Sequence, residues 1–364
     1  MRINFLFPLL ALCSFCLNSN AEDITKGKEY EVCNTKYCNP SISDTEFMEN
    51  PPLAGGIVIG EPFLASKDFP NTYETAFKPT EVVSVYSPST GKLFENGKDY
   101  SVTNTGILIL PDSKIDEAPP GFLDPSLSEK NTYGVKVSTE LGRYQYAVTY
   151  KKEESYHIKK TGFIKASKEN TKNKKIKITF FGDSISYGSD TSYGYVNLVM
   201  SKIEKNYPGK FIYRNNSYPG ISSINASWWV DTKLNDKKSD IILLAFGMND
   251  SNNTSPDKYK ANIEYVIKKV RMKAPETQFI LLSPIRPNPE STTHHHEYFN
   301  KYLAALKDIA IENNNVMTVD ATSAWDRINK NKRFYDLSAN GINHPNDYAH
   351  RVIAELVYSA MTSI

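Results

Sequence analysis

The sequence predicts an α/β protein built in two parts, a small β-sandwich followed by a doubly wound parallel sheet. Three observations support this prediction. The chain has 364 residues, which is enough for two domains of roughly 100–200 residues each. Residues 53–165 hold short β-rich runs between turn signals. Residues 175–364 alternate apolar strands with helical patterns.

The overall composition argues against two broad classes of protein. Hydrophobic residues make up 40% and charged residues 23% of the chain, which is near the globular average and argues against overall disorder. The 43 Lys and Arg residues nearly balance the 41 Asp and Glu residues, so the formal net charge is only +2. Nucleic-acid-binding proteins usually show a basic excess or stripe, so no nucleic-acid partner is expected. The lysine-rich run at 172–177 is interpreted as a solvated surface.

The N-terminal segment, residues 1–21, has the pattern of a cleavable signal peptide. Arg2 supplies the positive charge and residues 5–17 form the apolar run. Ser19 and Ala21 are the small residues of a cleavage site before Glu22. The apolar run is shorter than the about 20 residues that span a bilayer, and no later run is long enough, so no transmembrane segment is expected. The sequence therefore predicts a secreted or periplasmic protein.

Residues 22–52 form a polar stretch that we interpret as an N-terminal tether. It contains Cys33 and Cys38, the two cysteines that stay after removal of the signal peptide. In an oxidising compartment, two cysteines at this spacing are expected to form a small-loop disulfide. A zinc site is disfavoured because no histidine lies nearby.

The β-rich part, residues 53–165, is predicted to be a β-sandwich. Its clearest strands are residues 81–86, 106–110 and 144–150, with glycine-, proline- and asparagine-containing turns between strands. No amphipathic helix stands out, which favours a sandwich of short strands. The stretch 165–175, rich in lysine and asparagine, is interpreted as a linker. We therefore expect the β-rich part to fold separately and proteases to cut within the linker.

The C-terminal part alternates strands and helices, which is typical of a parallel sheet with helices on both faces. The predicted strands are residues 176–181, 211–214, 241–246, 279–283 and 316–319. The predicted helices are residues 195–205, 258–273, 298–311 and 347–361. In such sheets functional groups gather at the carboxyl ends of the strands, so residues directly after each strand are the candidates.

Four residues are candidates for a catalytic role on these grounds. Ser184 follows the first strand at the start of a helix, whose N-terminus stabilises negative charge. Asn249 follows the third strand, and its amide can donate a hydrogen bond to a developing oxyanion. Gly220 follows the second strand and lets a backbone N–H approach a ligand closely. His344 lies before the last helix and is a candidate general base for Ser184.

These residues lie in four blocks that, in this order, resemble the SGNH, or GDSL, hydrolase family. The blocks are Gly-Asp-Ser at 182–184, a glycine at 220, Gly-Met-Asn-Asp at 247–250 and His-Pro at 344–345. The resemblance covers residues 175–364 and implies a flavodoxin-like three-layer α/β/α fold. It implies that Ser184 attacks an ester carbonyl with His344 as its base. It also implies an oxyanion hole made of the backbone N–H groups of Ser184 and Gly220 and the side chain of Asn249.

The sequence departs from this family at the residue that should orient the histidine. The family usually has an aspartate three residues before the histidine, and Gly341 stands there. Asp336 is the only carboxylate on the preceding loop and is predicted to be the third catalytic residue. A backbone carbonyl or the side chain of Asn340 or Asn343 is the alternative. Asp347 is assigned to the N-cap or first turn of the last helix.

Other polar and aromatic features are interpreted without a direct role in chemistry. Residues 294–296 are three consecutive histidines, which rarely converge on one ion, so we assign them to an exposed or substrate-rim loop and predict no metal site. Trp228 and Trp229 are assigned to the core, with stacking of one of them on a sugar ring as the alternative. Asp183 and Asp250 are expected to support their loops through hydrogen bonds.

The sequence thus predicts a secreted serine esterase that hydrolyses short acyl esters through a Ser-His acyl-enzyme mechanism without a cofactor. An O-acetylated carbohydrate is the expected substrate. Some carbohydrate esterases of the family that the chain resembles carry a jelly-roll-like domain before the catalytic one, and this layout is similar. One alternative is a lipid-directed esterase, such as a lysophospholipase or thioesterase. The other is a non-catalytic glycan-binding surface protein.

Overall fold

The computed structural model describes residues 50–124, 126, 133–135, 140–158, 175–234 and 238–362. The predicted signal peptide, the Cys33 and Cys38 pair, and nearly all of the predicted linker lie outside the described residues. No helix in the described part of the chain is long and apolar enough to cross a membrane.

The β-rich region consists of two antiparallel sheets. Its strands are β1 (Ile57–Leu64), β2 (Thr72–Glu74), β3 (Glu81–Tyr86), β4 (Leu93–Phe94), β5 (Tyr100–Val102), β6 (Gly106–Ile109) and β7 (Gln145–Lys151), with the short helix α1 (Leu141–Tyr144) before β7. One sheet has the order β1-β7-β3-β4 and the other β2-β6-β5. Aromatic rings join the two sheets, since Phe63 of β1 lies 4.8 Å from Tyr73 of β2 between ring centroids. These contacts confirm the predicted β-rich region.

The second part is built on a five-stranded parallel sheet. Its strands are β8 (Ile176–Gly182), β9 (Phe211–Asn215), β10 (Ile241–Ala245), β11 (Gln278–Leu282) and β12 (Val316–Val319). The sheet order is β12-β11-β10-β8-β9, and all four strand pairs are parallel. Counted along this domain, the order is 2-1-3-4-5, which is the flavodoxin-like arrangement. The strand order reverses between β8 and β10, because the connection after β8 leads outward to β9 and the next one returns to β10 on the other side of β8. The carboxyl ends of β8 and β10 therefore border the crevice where such folds bind ligands.

Helices cover both faces of this sheet. They are α2 (Ser184–Tyr187), α3 (Tyr195–Asn206), α4 (Ser223–Lys233), α5 (Pro256–Arg271), α6 (Tyr298–Glu312), α7 (Ala321–Asn329), α8 (Phe334–Leu337) and α9 (Asp347–Met361). Alternate residues of β10 belong to two separate apolar clusters. Leu243 packs in the cluster that contains α3 and α9, and Leu244 packs in the cluster that contains α4, α5 and α6. The predicted three-layer α/β/α fold is therefore confirmed.

The β-rich region and the α/β domain share a core and a polar interface. Phe63 of β1 and Val352 of α9 belong to the same apolar cluster. Glu355 of α9 accepts hydrogen bonds from the backbone N–H groups of Leu53 (2.6 Å) and Ala54 (2.8 Å). These contacts span the boundary that the sequence predicts at residues 165–175, and the separate folding of the two parts stays a prediction.

Candidate active site

The turn between β8 and α2 presents Ser184 at the carboxyl edge of the sheet. A Cβ on Gly182 would lie 2.6 Å from the carbonyl oxygen of Ala245, so only glycine lets β8 end this close to β10. Asp183 then caps α2, because its Oδ1 accepts a hydrogen bond from the N–H of Ile185 at 3.0 Å. Ser184 is therefore the first residue of the helix, and Gly182 and Asp183 before it fix its position at the end of β8.

Ser184 and His344 are 160 residues apart in the chain and adjacent in the structure. Ser184 Oγ lies 2.8 Å from His344 Nε2. The opposite ring nitrogen, Nδ1, lies 2.6 Å from Oδ2 of Asp190. A carboxylate only accepts hydrogen bonds, so Nδ1 carries the proton and Nε2 is free to accept the proton of the serine hydroxyl. The three side chains form a continuous Ser–His–Asp chain of hydrogen bonds.

Asp190 reaches the histidine from the loop that follows the nucleophile. Its backbone has a φ of 58°, a left-handed conformation that aspartate tolerates better than most residues. The hydrogen bond from His344 holds the pKa of the Asp190 carboxyl below its usual value, although burial opposes this. Asp190 therefore carries a negative charge at neutral pH and favours the imidazolium form of the ring when the ring takes up a proton.

The structure corrects the prediction that Asp336 orients the histidine. Asp336 lies on α8 and is 3% exposed. Its Oδ1 accepts a hydrogen bond from the N–H of Leu64 at 2.7 Å, and its Oδ2 accepts one from the N–H of Arg333 at 3.0 Å. Oδ1 thus serves the junction with the β-rich region, and Oδ2 binds the N-cap residue of α8. Asp336 is close to His344 along the chain, whereas the carboxylate that binds the histidine ring comes from a loop 154 residues earlier.

The asparagines before His344 shape its loop and do not contact its ring nitrogens. Oδ1 of Asn340 accepts hydrogen bonds from three consecutive backbone N–H groups, those of Ile342 (2.9 Å), Asn343 (3.0 Å) and His344 (3.1 Å). Asn340 also donates to Asn343 through its Nδ2 at 3.2 Å. The two asparagines that were alternatives to Asp336 therefore position the backbone of the loop, and the ring takes Asp190 as its partner.

The three predicted oxyanion-hole groups lie on loops at the carboxyl ends of β8, β9 and β10. Among the described residues, no hydrogen-bond partner is found for the N–H of Ser184 or of Gly220. Gly220 has a φ of 79°, which favours glycine at this position. Asn249 donates one Nδ2 hydrogen to the carbonyl of Ile221 at 2.8 Å, which fixes the amide and leaves its second hydrogen for a ligand.

Asp183 and Asp250 support the site loops, as the sequence predicts. Asp250 is fully buried, and its two oxygens accept the N–H of Ser223 at 3.1 and 3.0 Å. This ties the loop after β10 to the start of α4. Burial raises the pKa of Asp250 to about 6 and that of Asp183 to about 7.

A further carboxylate holds the loop that carries Asp190. Asp347, the first residue of α9, accepts hydrogen bonds from the hydroxyl of Thr191 and from Ser192 N–H (2.8 Å) and Oγ (2.7 Å). The side chain of Asn346 caps α9. Asp347 therefore lies in the first turn of the last helix, as predicted, and it also fixes the acid-bearing loop, which the sequence did not indicate.

The ring nitrogens of the three consecutive histidines contact different atoms, among them atoms of Ser291 and Glu297. His294 Nδ1 lies 2.7 Å from Ser291 Oγ, His296 Nε2 lies 2.9 Å from Ser291 O, and His295 Nδ1 lies 3.3 Å from Glu297. In the part of the chain that the structure describes, no group of three His, Cys, Asp or Glu side chains could hold a metal ion. These histidines stabilise their own loop.

The two tryptophans differ in exposure. Trp229 packs edge-on against Tyr218, with ring centroids 6.1 Å apart, and contributes to the apolar cluster around α4 and α5. Trp228 is 67% exposed, so its assignment to the core is wrong. Consecutive residues of a helix point about 100° apart, and for this reason only one of the pair faces the core.

Comparison with known proteins gives one family and a set of solved structures. A model of the GDSL-like lipase/acylhydrolase family matches residues 180–352. Axe2, an acetylxylan esterase from Geobacillus stearothermophilus, is 19% identical; the match covers 52% of this chain and 95% of that one, with a TM-score of 0.46. LAE5, an α/β hydrolase from the metagenome of Lake Arreo, Spain, is 20% identical; coverage is 52% and 97%, and the TM-score is 0.44. No curated protein matches the chain significantly.

Proposed function

Residues 180–352 form a domain of the GDSL-like lipase and acylhydrolase family, whose members are serine hydrolases of ester bonds, and on this premise we propose a specific activity. The protein is an esterase that removes short acyl groups, in particular O-acetyl groups, from a carbohydrate. The observation that carries the proposal is the hydrogen-bonded chain from Ser184 through His344 to Asp190.

The geometry supports acyl transfer in two steps. Ser184 Oγ attacks the ester carbonyl carbon while its proton passes to His344 Nε2, and Asp190 stabilises the resulting imidazolium. The oxyanion accepts hydrogen bonds from the N–H groups of Ser184 and Gly220 and from the Asn249 amide. The intermediate collapses, and the alcohol leaves with the proton from His344. Water then attacks the acyl carbon while its proton passes to His344, the bond to Ser184 Oγ breaks, and His344 returns the proton to Oγ as the carboxylic acid is released.

Exposed aromatic side chains near the nucleophile support a carbohydrate substrate. Tyr187 lies one helical turn after Ser184 and is 58% exposed. Tyr218 is 56% exposed, and its N–H donates to the carbonyl of Gly182 at 3.0 Å, directly beside the nucleophile turn. Exposed tyrosines present an apolar ring with a polar tip, which suits a sugar with its alternating C–H and hydroxyl surfaces.

The first experiment compares turnover of p-nitrophenyl acetate with that of p-nitrophenyl palmitate. We expect turnover of the acetate that is abolished in Ser184→Ala. A preference for palmitate would favour the lipid-directed alternative, and no turnover of either ester by folded protein would favour the glycan-binding one. Acetate release from acetylated xylooligosaccharides and acetylated glucose then tests the carbohydrate part.

A tyrosine variant separates sugar recognition from ester hydrolysis. We expect the double variant Tyr187→Ala and Tyr218→Ala to raise KM for an acetylated oligosaccharide by about 10-fold, with a smaller change for p-nitrophenyl acetate. Tyr265→Ala is the matched control, because this tyrosine is 45% exposed on α5. Equal effects of both variants on both substrates would contradict a sugar-binding role.

We also propose that the protein acts after export, on the basis of the signal-peptide pattern in residues 1–21. N-terminal sequencing of the protein recovered outside the cytoplasm is expected to begin at Glu22. An intact Met1 on all of the active protein would contradict this.

A further inference from the structure

Gln145 is the residue of the β-rich region that binds the loop carrying His344. It is the first residue of β7, and its side-chain Nε2 donates to the carbonyls of Tyr335 (2.8 Å) and Ser338 (2.7 Å). Its Oε1 accepts a hydrogen bond from Nδ2 of Asn346 at 3.2 Å. One side chain therefore binds both stems of the loop.

The two stems are joined to each other and to the histidine. Ser338 forms an antiparallel bridge with Pro345, and the N–H of Ala339 donates to the carbonyl of His344 at 2.9 Å. The hydroxyl of Ser338 accepts the N–H of Gly341 at 2.8 Å and donates to the carbonyl of His344 at 3.2 Å. A displacement of Ser338 is therefore passed directly to the backbone of His344.

The contacts of Gln145 require a primary amide. Two carbonyl oxygens need a group that donates twice, and the amide of Asn346 needs an acceptor on the same group. A carboxylate at this place would set negative oxygens against two carbonyls. An apolar side chain would leave both carbonyls without this partner.

The neighbouring strand holds the same segment. Leu64 of β1 pairs with Gln145 across the sheet, and its N–H donates to Oδ1 of Asp336 at 2.7 Å. The paired ends of β1 and β7 thus bind residues within α8 and the residue that directly follows it. In this way the β-rich region sets the position of the chain just before His344.

We propose that Gln145 is a positioning residue for His344, so that the β-rich region is a working part of the hydrolase site. The kinetic consequence rests on the proposed function, because it requires His344 to be the base. The placement of the ring does not depend on turnover and is observable in the resting protein. A spectroscopic signal of the ring therefore tests the proposal separately from activity.

The experiment follows the Nδ1–H signal of His344 in the full chain with ¹⁵N-labelled histidine. The sequence has only six histidines, and His344→Gln identifies the signal. Both Gln145→Met and Gln145→Glu are expected to shift or broaden the downfield resonance of the His344 Nδ1 proton, which is hydrogen-bonded to Asp190. For p-nitrophenyl acetate we expect kcat to fall by about 10–10²-fold, the scale of a misplacement near 1 Å, with KM nearly unchanged.

Arg327→Gln is the matched control. It breaks hydrogen bonds from α7 to the carbonyl of Ala76 (3.1 Å) and to Glu154 (2.5 Å), which join the same two regions away from the histidine loop. We expect it to lower Tm while the resonance and kcat stay as in the wild type. All measurements are made well below the lowest Tm.

Two outcomes overturn the proposal. One is an unchanged His344 Nδ1–H resonance in folded Gln145→Met. This variant is the milder of the two, so it still tests the proposal if Gln145→Glu does not fold. The other is an equal change of the resonance in Arg327→Gln, which would show general loosening of the interface. If the wild type hydrolyses no ester, the proposed function fails, and the resonance still decides the positioning role.

Discussion

The α/β domain and the β-rich region contribute to the site in different ways. The groups placed to react, Ser184, His344 and Asp190, all lie on the α/β domain, on loops at one edge of its sheet. The β-rich region contributes hydrogen bonds to the segment that carries the histidine, through Gln145 and the N–H of Leu64. A parallel sheet brings reactive groups to one edge, but the position of a side chain on a long loop depends on which residues pack against that loop.

The interior of the parallel sheet and the interface between the two regions differ in polarity. The interior of the α/β sheet is apolar, as in β10, where every residue is buried. The interface between the two regions instead buries Glu61. Its carboxylate accepts hydrogen bonds from Tyr150 Oη (2.6 Å) and from the N–H of Ala76 (2.8 Å), and it lies 3.4 Å from Lys332 Nζ. Removing one partner of a buried pair is strongly destabilising. Apart from Gln145, substitutions at the interface should therefore change stability first, and substitutions in the site loops should change turnover first.

The largest effect is expected from the nucleophile and the base. Ser184→Ala and His344→Ala should each lower kcat by on the order of 10⁶-fold, because neither group works without the other. Both variants should unfold at nearly the wild-type Tm, since the two side chains lie at the edge of the sheet. A fluorophosphonate probe should label the wild type and not Ser184→Ala. Labelling of the variant would place the nucleophile elsewhere.

Asp190 and Asp336 give the sharpest contrast between the reactive site and the interface of the two regions. Asp190→Asn should lower kcat by up to about 10⁴-fold, because the amide favours the wrong tautomer of His344. Asp336→Asn should keep near-normal kcat and lower Tm, because Asp336 joins α8 to β1. Parallel measurement of kcat and Tm separates the two. The reverse pattern would restore Asp336 as the acid.

The oxyanion donor should have an intermediate effect. Asn249→Ala should lower kcat by about 10²–10³-fold, the usual loss for one such donor, with a small change in KM. Asn252→Ala is the control, because this exposed asparagine lies in the short 3₁₀ turn Asp250–Asn252 that directly follows Asn249. Equal rates for the Asn249 variant and the wild type would assign Asn249 a structural role.

The smallest effect concerns the pH dependence of the interface. Burial raises the pKa of Glu355 from 4.5 to about 7, so the folded protein keeps its proton at a pH where the unfolded chain has lost it. Stability from this group is therefore complete below pH 4.5 and is lost as the pH rises to about 7. Glu355→Gln should remove this dependence, which we expect to shift Tm by a few degrees.

The measurement is the Tm of the wild type and Glu355→Gln across this pH window. The difference in Tm between them should change steadily through the window and become constant above it. Glu312→Gln is the control, because the side chain of Glu312 is 55% exposed. A constant difference for Glu355→Gln would show that the interface does not hold this proton.

The main strands were predictable from local pattern. The predicted strand 176–181 is Ile176–Gly182 in the structure, and 241–246 is Ile241–Ala245, since short apolar runs between helical patterns have few other solutions. Helix α4 was missed. Its buried residues are only Ser223, Ala226 and Val230, so it lacks the broad apolar stripe that identifies a surface helix.

The site was predictable to the extent that each residue follows its own strand. Ser184, Gly220 and Asn249 follow strands that meet at one edge, so their approximate proximity depends only on sheet topology. Asp190 was missed because nothing in its local sequence distinguishes it from a loop aspartate. The available signal was its place on a carboxyl-edge loop, which made it a candidate regardless of its distance from His344 along the chain.

The order and spacing of residues along the chain thus specified the sheet, the nucleophile turn and the histidine loop, because these depend on periodicity and on short-range turns. The choice of Asp190 over Asp336 depended on the fold. The fold also decided that Asp347 binds the loop that carries Asp190 and that Gln145 binds the loop that carries His344. In both cases the partners are distant in sequence. A hydrogen bond between distant segments leaves no periodic trace in a single sequence, because it is set by how complete elements pack.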